Sequence, residues 1–473
     1  MKTILKTLCT VVLMVGLIHC SVEDAINSAT DSTSSSSTTT ETVSSTTGTL
    51  TAADGSAIAG ASVALTQAGT TLQVKALAKT TSQNLTNKKG QYLPLFQTTD
   101  GDGETCDDIS ESLSGTVLAT DCTSSDGTYN LSGEIPCGET LTLSAKKGSF
   151  FLSLSVTLSC GAEEDSVALE DIAFDDDCGQ AADSLDSESC NFDIARMAVV
   201  TGTYDEIENV LAKLGFGEVD EYGFLDMLQP FDFTLIDGND SLGEDYEDFD
   251  DFISDIENLN DYDIIFINCG NSNEDRLSDP DVVARLQQYV EEGGKLYVTD
   301  WSYDFLENPF PSFLNFLEGG EDPDTAEIHN DAQDGTGGIT VDADVNNDVM
   351  ASWLDGVTVN EGTIEEDCYG LDDDAINAHV GARNDDGTVT IGDFLGAWAV
   401  IEGIHDGFAE STNLWISGDI SHSGGDLSGV PLTATKDVEE GRILYSSYHT
   451  AHSCTTPGFW PQERILQYLV FEL

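Results

Sequence analysis

Two different patterns of apolar residues divide the chain. From Gly48 to about Phe174, apolar and polar residues alternate in short stretches separated by Asp-Gly turns, as in "GTLTAADGSAIAGASVALT" and "DGTYNLSGEIPCGETLTLS". Alternation with a period of two places the apolar side chains on one face of a strand. The pattern predicts a β-sandwich over residues 48–174.

Residues 192–473 show continuous apolar runs that alternate with helical periodicity. The stretches "IARMAVVTG", "DYDIIFINCG" and "KLYVTD" are predicted strands, apolar enough to be buried on both faces. "TYDEIENVLAKLGFG" and "SDPDVVARLQQYVEEGG" are predicted helices, the second capped by Asp279 and ended by Gly293. Strands that alternate with helices predict a three-layer α/β domain with a parallel sheet. A Gly- and Asp-rich, strand-leaning insertion occupies about residues 318–440. The fold class is therefore multidomain, a β-sandwich followed by this α/β domain.

The first residues predict export from the cytoplasm. Two lysines precede the apolar run from Leu8 to Ile18, which is too short to span a bilayer and is typical of a signal peptide over residues 1–19. The run ends in "LIHC" and resembles a bacterial lipoprotein signal. That resemblance implies lipidation of Cys20 and anchoring to the outer membrane or cell surface. Cleavage and release, to the periplasm or the medium, is the alternative.

Two polar segments are predicted to connect these parts. Residues 20–47 are rich in Ser and Thr and have too little apolar surface to offset the entropy lost on ordering, so we expect a flexible tether. Residues 175–191 form a predicted acidic linker between the two domains. Residues 175–190 of this linker read "DDDCGQAADSLDSESC".

Charge narrows the range of partners. The chain has 87 acidic and 17 basic residues and a formal net charge of −70. Such a surface repels phosphate backbones, which excludes nucleic acid as a partner. The partners that remain are the bacterial membrane, through the lipid on Cys20, and a glycan or protein ligand.

Cysteine usage is typical of an oxidising compartment. Nine cysteines remain after Cys9 and Cys20 are set aside, and no CxxC pair occurs among them. We expect most of them to form disulfides. Local spacing favours the pairs Cys106–Cys122, Cys137–Cys160 and Cys178–Cys190, with Cys368–Cys454 over a longer loop, although spacing leaves other connectivities open. Cys269, at the end of an apolar strand, is the expected odd thiol.

Three short motifs suggest a family for the first domain. They are an opening G-x-L-x-x-x-x-G, then G-A-x-V-x-L, then D-G-x-Y-x-L, and they cover roughly residues 46–160 with an insertion near 70–125. In these motifs the chain resembles the carboxypeptidase regulatory-like domain. The resemblance implies a non-catalytic, transthyretin-like sandwich, in a class that overlaps folds described as carbohydrate-binding-like.

The second domain resembles the class I glutamine amidotransferase-like fold, and its ThuA-like relatives, in "MAVVTG", "DYDIIFINCGN", "LQQYVEEGGKLYVTD" and "GRILYSSYHTAHS". In the active enzymes a cysteine lies in a glycine-flanked turn after the strand matched here by Lys295–Thr299, and a histidine follows a late strand. The histidine corresponds to His449, and the nucleophile position falls on Asp300 or Trp301. Neither can form a thiolate, and the small neighbours that permit a strained turn are missing. The resemblance therefore implies a domain without its nucleophile.

Other candidates for nucleophilic chemistry are few. Ser302 is the hydroxyl nearest to the nucleophile position, and it is either an ordinary turn serine or the partner of His449. Cys269 ends a neighbouring strand and is expected to be a small buried side chain rather than a nucleophile.

Two groups of residues are candidate metal ligands. His449 and His452, with Asp300 at the neighbouring strand end, could hold zinc with one position open, or could be hydrogen-bonded histidines at the rim. In "DGDGETCDD", Asp100, Asp102 and Glu104 alternate around glycines as calcium ligands do, or form a solvated turn. The cofactor that this acidic, glycine-rich pattern suggests is calcium.

These observations favour an exported bacterial surface lipoprotein with a binding, adhesion or structural role and no catalysis. One alternative is a hydrolase that cleaves glycan or amide bonds through His449. Another is a calcium-dependent carbohydrate-binding protein.

Overall fold

A computed structural model describes most of the chain from Glu41 onward. The described residues are 41–67, 97–99, 105–107, 109, 113, 115–160, 165–169, 171–175, 190–270, 274–317, 332–360, 378–394, 396, 398–405, 408, 411–451 and 456–473. One compact unit spans Glu41–Leu473. The signal peptide and several predicted sites lie outside the described residues: Cys20, Asp100, Asp102, Glu104, Cys178, Cys368, His452 and Cys454. None of the described helices has the length and apolar character needed to cross a bilayer.

The N-terminal part consists of short strands. In chain order they are β1 (Thr42–Ala52), β2 (Ser62–Gln67), β3 (Gln97–Thr99), β4 (Thr105–Asp107), β5 (Thr116–Cys122), β6 (Thr128–Pro136), β7 (Thr140–Lys147), β8 (Phe150–Thr157), β9 (Ser166–Ala168), β10 (Ile172–Phe174) and β11 (Asn191–Asp193). Within the described residues, one sheet has the order β10-β1-β6, with β9 also paired to β1, and a second has the order β11-β8-β7-β2-β5. Leu131 of the first sheet and Leu143 of the second belong to the same apolar core, as alternating strands require.

Both ends of this part differ from the expected boundaries. Strand β1 begins at Thr42, so the last residues of the Ser/Thr-rich segment 20–47 pair with β6. Val43 and Thr46 are buried there, which explains why a segment with a polar composition is ordered. Strand β11 pairs with β8, so the acidic segment 175–191 ends in a sheet.

The remaining strands form mainly one large sheet. They are β12 (Met197–Val200), β13 (Phe233–Asp237), β14 (Glu247–Asp248), β15 (Ile264–Ile267), β16 (Lys295–Thr299), β17 (Leu314–Phe316), β18 (Ile339–Val345), β19 (Thr358–Asn360), β20 (Ala378–Val380), β21 (Val389–Phe394), β22 (Ile401–Ile404), β23 (Thr412–His422), β24 (Gly425–Val438) and β25 (Gly441–Ser446). The large sheet has the order β14-β13-β12-β15-β16-β25-β24-β23-β18-β21. Along this sheet order, each pair of neighbours from β14 to β25 is parallel. Each pair of neighbours from β25 to β21 is antiparallel.

Burial along the strands explains the two halves of this sheet. Every residue of β12 and β15 is buried, as is typical of parallel strands covered on both faces. Strand β18 alternates buried and exposed residues, as an antiparallel strand with one solvated face does. Strands β18, β21, β23 and β24 come from the predicted insertion at 318–440, which therefore extends the sheet. The described part of the chain is β-rich, with several sheets and short helices.

Helices connect and cover the strands. They are α1 (Ile207–Leu211), α2 (Phe249–Ile253), α3 (Ile256–Asn260), α4 (Glu274–Leu277), α5 (Pro280–Glu291), α6 (Asp304–Glu307), α7 (Asp348–Leu354) and α8 (Pro461–Glu472). A π-helical turn, Ala212–Phe216, continues α1. The predicted cap of α5 is confirmed, because Asp279 accepts a hydrogen bond from the backbone N–H of Asp281 at 3.0 Å.

The last helix contacts the N-terminal sheets. The ring of Phe471 lies 4.9 Å from that of Phe150 of β8, and Gln467 donates a hydrogen bond to Ser56 at 2.6 Å. Arg464 of the same helix forms an ion pair with Asp54. Apolar residues of both parts belong to one core, so these contacts join the two parts of the compact unit.

The cysteine predictions can be checked in part. Cys106–Cys122 and Cys137–Cys160 are disulfides, with Cα–Cα distances of 5.9 and 5.8 Å, and both pairs are confirmed. Cys190 is disulfide-bonded, and its expected partner Cys178 lies outside the described residues. Cys269 is a buried free thiol, as its position at the end of a buried strand indicates.

Candidate functional site

Four parallel strands end at one edge of the large sheet. Strands β12, β15, β16 and β25 are neighbours in that order, and their carboxyl ends lead to Asp205, Cys269, Asp300 and His449. The chain passes from β12 to β13 on one side and later to β15 on the other side of β12. The direction in which successive strands are added to the sheet therefore reverses between β12 and β15, while the strands stay parallel. Ligands of open α/β sheets bind outside the carboxyl ends at such a point.

The loops after β12 and β15 contact each other closely. A Cβ atom at Gly202 would lie 2.0 Å from the Cys269 carbonyl oxygen, and one at Gly270, where φ is +98°, would lie 2.6 Å from the Thr203 nitrogen. Glycine is therefore the residue that fits at both positions. This contact brings the first two strand ends together.

Asp300 begins a 3-10 turn directly after β16, with φ at +43°. A non-glycine residue in this region is strained, and such strain is retained mainly at functional sites. The turn is strained although the small flanking residues that usually permit such a turn are missing. The Tyr445 hydroxyl donates to the Asp300 carbonyl oxygen at 3.0 Å and holds the turn in place.

The Asp300 carboxylate is buried and is contacted on both oxygens. The backbone N–H of Ala399 donates to Oδ1 at 2.9 Å. The Oδ2 atom lies 3.1 Å from His449 Nε2 and accepts from the Cys269 thiol at 3.4 Å. The structure thus brings together two predicted candidates, Asp300 and His449, and adds Cys269.

Asp205 holds the loop that carries His449. Its carboxylate accepts the backbone N–H groups of Thr450 and Ala451, each at 3.0 Å, and that of Glu206 at 2.9 Å. Burial raises the pKa of Asp205, and the nearby His449 ring opposes this rise. The sequence analysis missed Asp205, although its place shortly after a buried strand was a usable signal.

Cys269 is a donor rather than a nucleophile in this arrangement. Burial and the neighbouring Asp300 carboxylate raise the pKa of the Cys269 thiol far above its usual range. The backbone N–H of Cys269 donates to Thr299 Oγ1 at 3.0 Å, which ties it to the adjacent strand. The expectation of a small buried side chain holds, but it omitted the contact with Asp300.

The Ser302 hydroxyl forms a hydrogen bond with a backbone carbonyl group. It donates to the Asn268 carbonyl oxygen at 2.8 Å, and Ser302 is fully buried. The alternative in which Ser302 pairs with His449 gains no support from this contact.

A partly buried carboxylate, that of Glu208, lies beside the site. The Asn268 amide donates to Glu208 Oε2 at 2.8 Å and to the Asp205 carbonyl oxygen at 3.0 Å. Burial raises the pKa of Glu208 to about 8. Glu208 is a further residue that the sequence analysis did not single out.

No protein-family model matches the chain, and no curated protein is similar to it. Several solved structures share a partial likeness. A ThuA-like protein from Parabacteroides merdae is 12% identical over 59% of this chain and 90% of its own, with a TM-score of 0.30. ThuA-like proteins are thus among the structural neighbours. A cytoplasmic protein from Salmonella typhimurium is 10% identical over 59% of this chain and 98% of its own, with a TM-score of 0.30. An exo-β-1,4-mannosidase from an Opitutaceae bacterium is 10% identical over 59% of this chain and 35% of its own, with a TM-score of 0.23.

Several exposed aromatic and apolar side chains lie in the segment between β12 and β13. The Tyr204 ring is 63% exposed and lies parallel to the His449 ring, with the centroids 6.4 Å apart. We name residues 220–229 the apolar loop, because it exposes large side chains despite a strongly acidic surface. They are Tyr222, Phe224, Met227 and Leu228.

Hydrogen bonds connect the apolar loop to the strand ends. The backbone N–H of Leu225 donates to the Asn209 side chain at 2.8 Å, and Asn209 donates to Glu206 at 2.6 Å. Glu206 in turn donates its backbone N–H to Asp205. The apolar loop, Tyr204 and the buried carboxylates therefore belong to the same region of the molecule.

Cys269, Asp300 and His449 together have the composition of a metal site. One ligand atom from each lies within 4.8 Å of the other two, and all three residues are buried. The predicted zinc pair included His452, which lies outside the described residues.

A cleft lined by described residues lies away from this site. Among clefts lined by described residues, one of about 640 Å³ lies near Lys295 and Arg442, at the amino ends of β16 and β25. That is the opposite edge of the sheet from Asp300 and His449.

Proposed function

We propose that this protein is an exported surface lipoprotein that binds a glycan or protein ligand at the carboxyl edge of its parallel strands and does not catalyse a reaction there. One observation carries the proposal. The strained position at the end of β16, where a nucleophile would be presented, is occupied by Asp300, and both of its carboxylate oxygens are held by contacts within the protein.

Among the described residues at this edge of the sheet, the three candidate nucleophiles each contact other groups of the protein. Asp300 is 1% exposed, so a substrate atom cannot approach its oxygens without breaking the contacts to Ala399 and His449. The Cys269 thiol is neutral at physiological pH, because burial raises its pKa, and a thiol attacks poorly without ionisation. The Ser302 hydroxyl donates to a backbone carbonyl. This network is suited to holding strand ends together.

The surface above the network is suited to binding. Leu228 of the apolar loop is 92% exposed, and Tyr204, whose ring stacks parallel to that of His449, is 63% exposed. Exposed apolar groups that cluster on a soluble domain mark interaction sites. With a net charge of −70 the protein favours neutral or basic ligands over anionic ones.

The location and the finer architecture are part of the same proposal. Residues 1–19 have the pattern of a signal peptide, and Cys20 has the position of a lipidated cysteine. The N-terminal sheets support a carboxypeptidase regulatory-like sandwich, and the parallel strands with their helices support a three-layer α/β domain. Radioactive palmitate should label the wild-type protein in cells and should not label Cys20→Ala. Absence of label in the wild type would refute the anchor.

The claim that this site does not catalyse a reaction is tested with chromogenic esters, amides and glycosides. The wild-type protein should show no turnover above that of Asp300→Asn. A turnover in the wild type that both Asp300→Asn and His449→Ala abolish would overturn the non-catalytic proposal.

The binding part is tested on glycan and peptide arrays. The double variant Tyr204→Ala/Leu228→Ser should lose at least about tenfold in affinity for whatever the wild type binds, a loss expected when exposed anchor residues are removed. Val380→Ser is the matched control, because Val380 is 69% exposed and belongs to β20. Equal loss in the control, or no loss in the double variant, would reject this surface.

Hydrolysis through Asp300 and His449 is the second candidate, and the φ of +43° at Asp300 favours it. Enzymes of several folds present their nucleophile in such a turn, with an imidazole in hydrogen-bond reach. Here Asp300 would attack and His449 would transfer the proton. The turnover experiment separates this candidate from the first.

A further inference from the structure

Three side chains from three neighbouring strand ends converge in the protein interior. Cys269 follows β15, Asp300 follows β16, and His449 follows β25. Their relative exposures are 0%, 1% and 2%. The thiol sulfur lies 3.4 Å and His449 Nε2 lies 3.1 Å from the same oxygen, Asp300 Oδ2.

We propose that Cys269, Asp300 and His449 form a binding site for a divalent transition metal ion of the zinc class. A thiolate, an imidazole and a carboxylate are the three ligand types of protein zinc sites. The thiolate excludes calcium and magnesium, which prefer oxygen ligands only. This inference goes beyond the proposed function, which requires no metal.

The distances between the ligand atoms fit this ion. Zinc binds its ligands at about 2.0–2.3 Å in a tetrahedron, so ligand atoms stand roughly 3.3–3.8 Å apart. The separations of 3.1 and 3.4 Å at Asp300 Oδ2 are within a few tenths of an ångström of that range. The third pair, Cys269 and His449, is within 4.8 Å. A small outward shift of the side chains would therefore admit the ion.

Further contacts hold two of the ligands in place. The second Asp300 oxygen accepts the Ala399 N–H at 2.9 Å, which leaves Oδ2 directed toward the other two ligands. The Cys269 backbone donates to Thr299 Oγ1 at 3.0 Å. Metal sites depend on such outer contacts to orient their ligands.

Binding of the ion replaces the hydrogen bond from the Cys269 thiol to Asp300, and this step balances in charge and in atoms. Coordination requires the thiolate, so the Cys269 proton that now points to Asp300 is released to the solvent. The ion then bonds to the sulfur, to Oδ2 and to an imidazole nitrogen. Three protein ligands leave one tetrahedral position for a water molecule or a ligand atom.

Metal content and cobalt spectroscopy test the site. The untagged full chain is purified after expression with added zinc, dialysed, and measured by inductively coupled plasma mass spectrometry. We expect about one zinc ion per chain, reduced at least tenfold in Cys269→Ala and in His449→Ala. His379→Ala is the matched control, because His379 is an exposed histidine in β20, and it should retain its zinc. Zinc at the same level in Cys269→Ala as in the wild type would overturn the proposal.

Cobalt(II) provides a readout that does not depend on how the variants fold. Cobalt added to the metal-free wild-type chain should produce the intense near-ultraviolet charge-transfer band of a cobalt–thiolate bond. The two described disulfides do not supply a thiolate, and Cys269 is the free cysteine of the described residues. A wild-type chain that binds neither zinc nor cobalt, or binds cobalt without this band, would refute the site and leave the ligand-binding proposal unaffected.

Discussion

His449 Nε2 lies 3.1 Å from Asp300 Oδ2, and their side chains are 3% and 1% exposed. Asp300 follows β16 and His449 follows β25, and these two strands are adjacent and parallel in the centre of the large sheet. Their contact joins the carboxyl ends of these two strands.

Removing the imidazole should destabilise the protein strongly. His449→Ala removes a ring that contacts the buried Asp300 carboxylate, and loss of one partner of a buried polar group costs about 1–3 kcal/mol, or more when the group is charged. The free energy of unfolding, measured by urea denaturation and circular dichroism, reports the loss. His379→Ala, at an exposed histidine, should stay within about 0.5 kcal/mol of the wild type. A loss below about 1 kcal/mol in His449→Ala would show that the pair does not stabilise the strand ends.

Glu208 should make stability fall as the pH rises. Burial raises the pKa of its carboxyl group from 4.5 to about 8, so between these values the folded state binds a proton that the unfolded state has lost. The favourable proton binding is complete below pH 4.5 and is lost as the pH rises toward 8. One group contributes at most about 1.4 kcal/mol per pH unit, and the contribution is smaller here because Glu208 is partly exposed.

A comparison of two variants separates the effect of Glu208 on stability from that of the many other carboxylates. Unfolding free energies of the wild type, Glu208→Gln and Glu291→Gln are measured from pH 5 to 8. Glu208→Gln should show a flatter profile, whereas Glu291→Gln, at an exposed position, should follow the wild type. Parallel profiles for the wild type and Glu208→Gln would contradict the raised pKa.

The ion pair between Lys213 and Glu463 should matter more than surface pairs. The ammonium nitrogen lies 2.9 and 3.0 Å from the two carboxylate oxygens, and the side chains are 0% and 1% exposed. Glu463 also accepts the Trp460 N–H at the start of α8. Lys213→Met leaves the carboxylate buried without its cation, which should cost about 3–5 kcal/mol in the free energy of unfolding.

A surface pair and a double variant serve as comparisons. Arg383→Met breaks the pair with Asp355, whose side chain is 55% exposed, and should cost less than about 1 kcal/mol. Lys213→Met/Glu463→Leu removes both charges and should recover part of the loss in Lys213→Met. Equal losses for Lys213→Met and Arg383→Met would reject the argument from burial.

The N-terminal sheets and the rest of the described chain should unfold together. Phe471 of α8 packs on Phe150 and Phe174 of the N-terminal sheets, at centroid distances of 4.9 and 6.2 Å. Differential scanning calorimetry should therefore show one transition in the wild type. Phe471→Ala should cost about 3–5 kcal/mol and separate the transition into two. Val380→Ala, at an exposed position, should leave one transition, and two transitions in the wild type would contradict a shared core.

Sequence patterns predicted much of the local structure. The fully apolar runs that form β12 and β15 were recognisable, because a strand buried on both faces has few polar residues. The disulfides Cys106–Cys122 and Cys137–Cys160 followed from short spacing. Residues 42–47 were assigned to the tether on composition alone, and their pairing with β6 depends on a partner far along the chain.

The site was predicted only in part. Asp300 and His449 were identified because each follows a recognisable strand. Asp205 was missed although it lies shortly after a buried strand. Its contacts with the N–H groups of Thr450 and Ala451, and the contact of Cys269 with Asp300, depend on residues far along the chain and have no local signal. The strained φ at Asp300 was also missed, since contacts such as that from Tyr445 stabilise it from a distance.

The sequence by itself determined the short-range features, which are the buried strands, the cap of α5 and the local disulfides, together with the strongly acidic composition. Only the tertiary structure decided that Asp205, Cys269, Asp300 and His449 meet. These residues follow four strands whose order in the sheet depends on the burial of the whole core. Apolar burial has no direction, so the sequence pattern predicts that a strand is buried but not which strand it will lie beside.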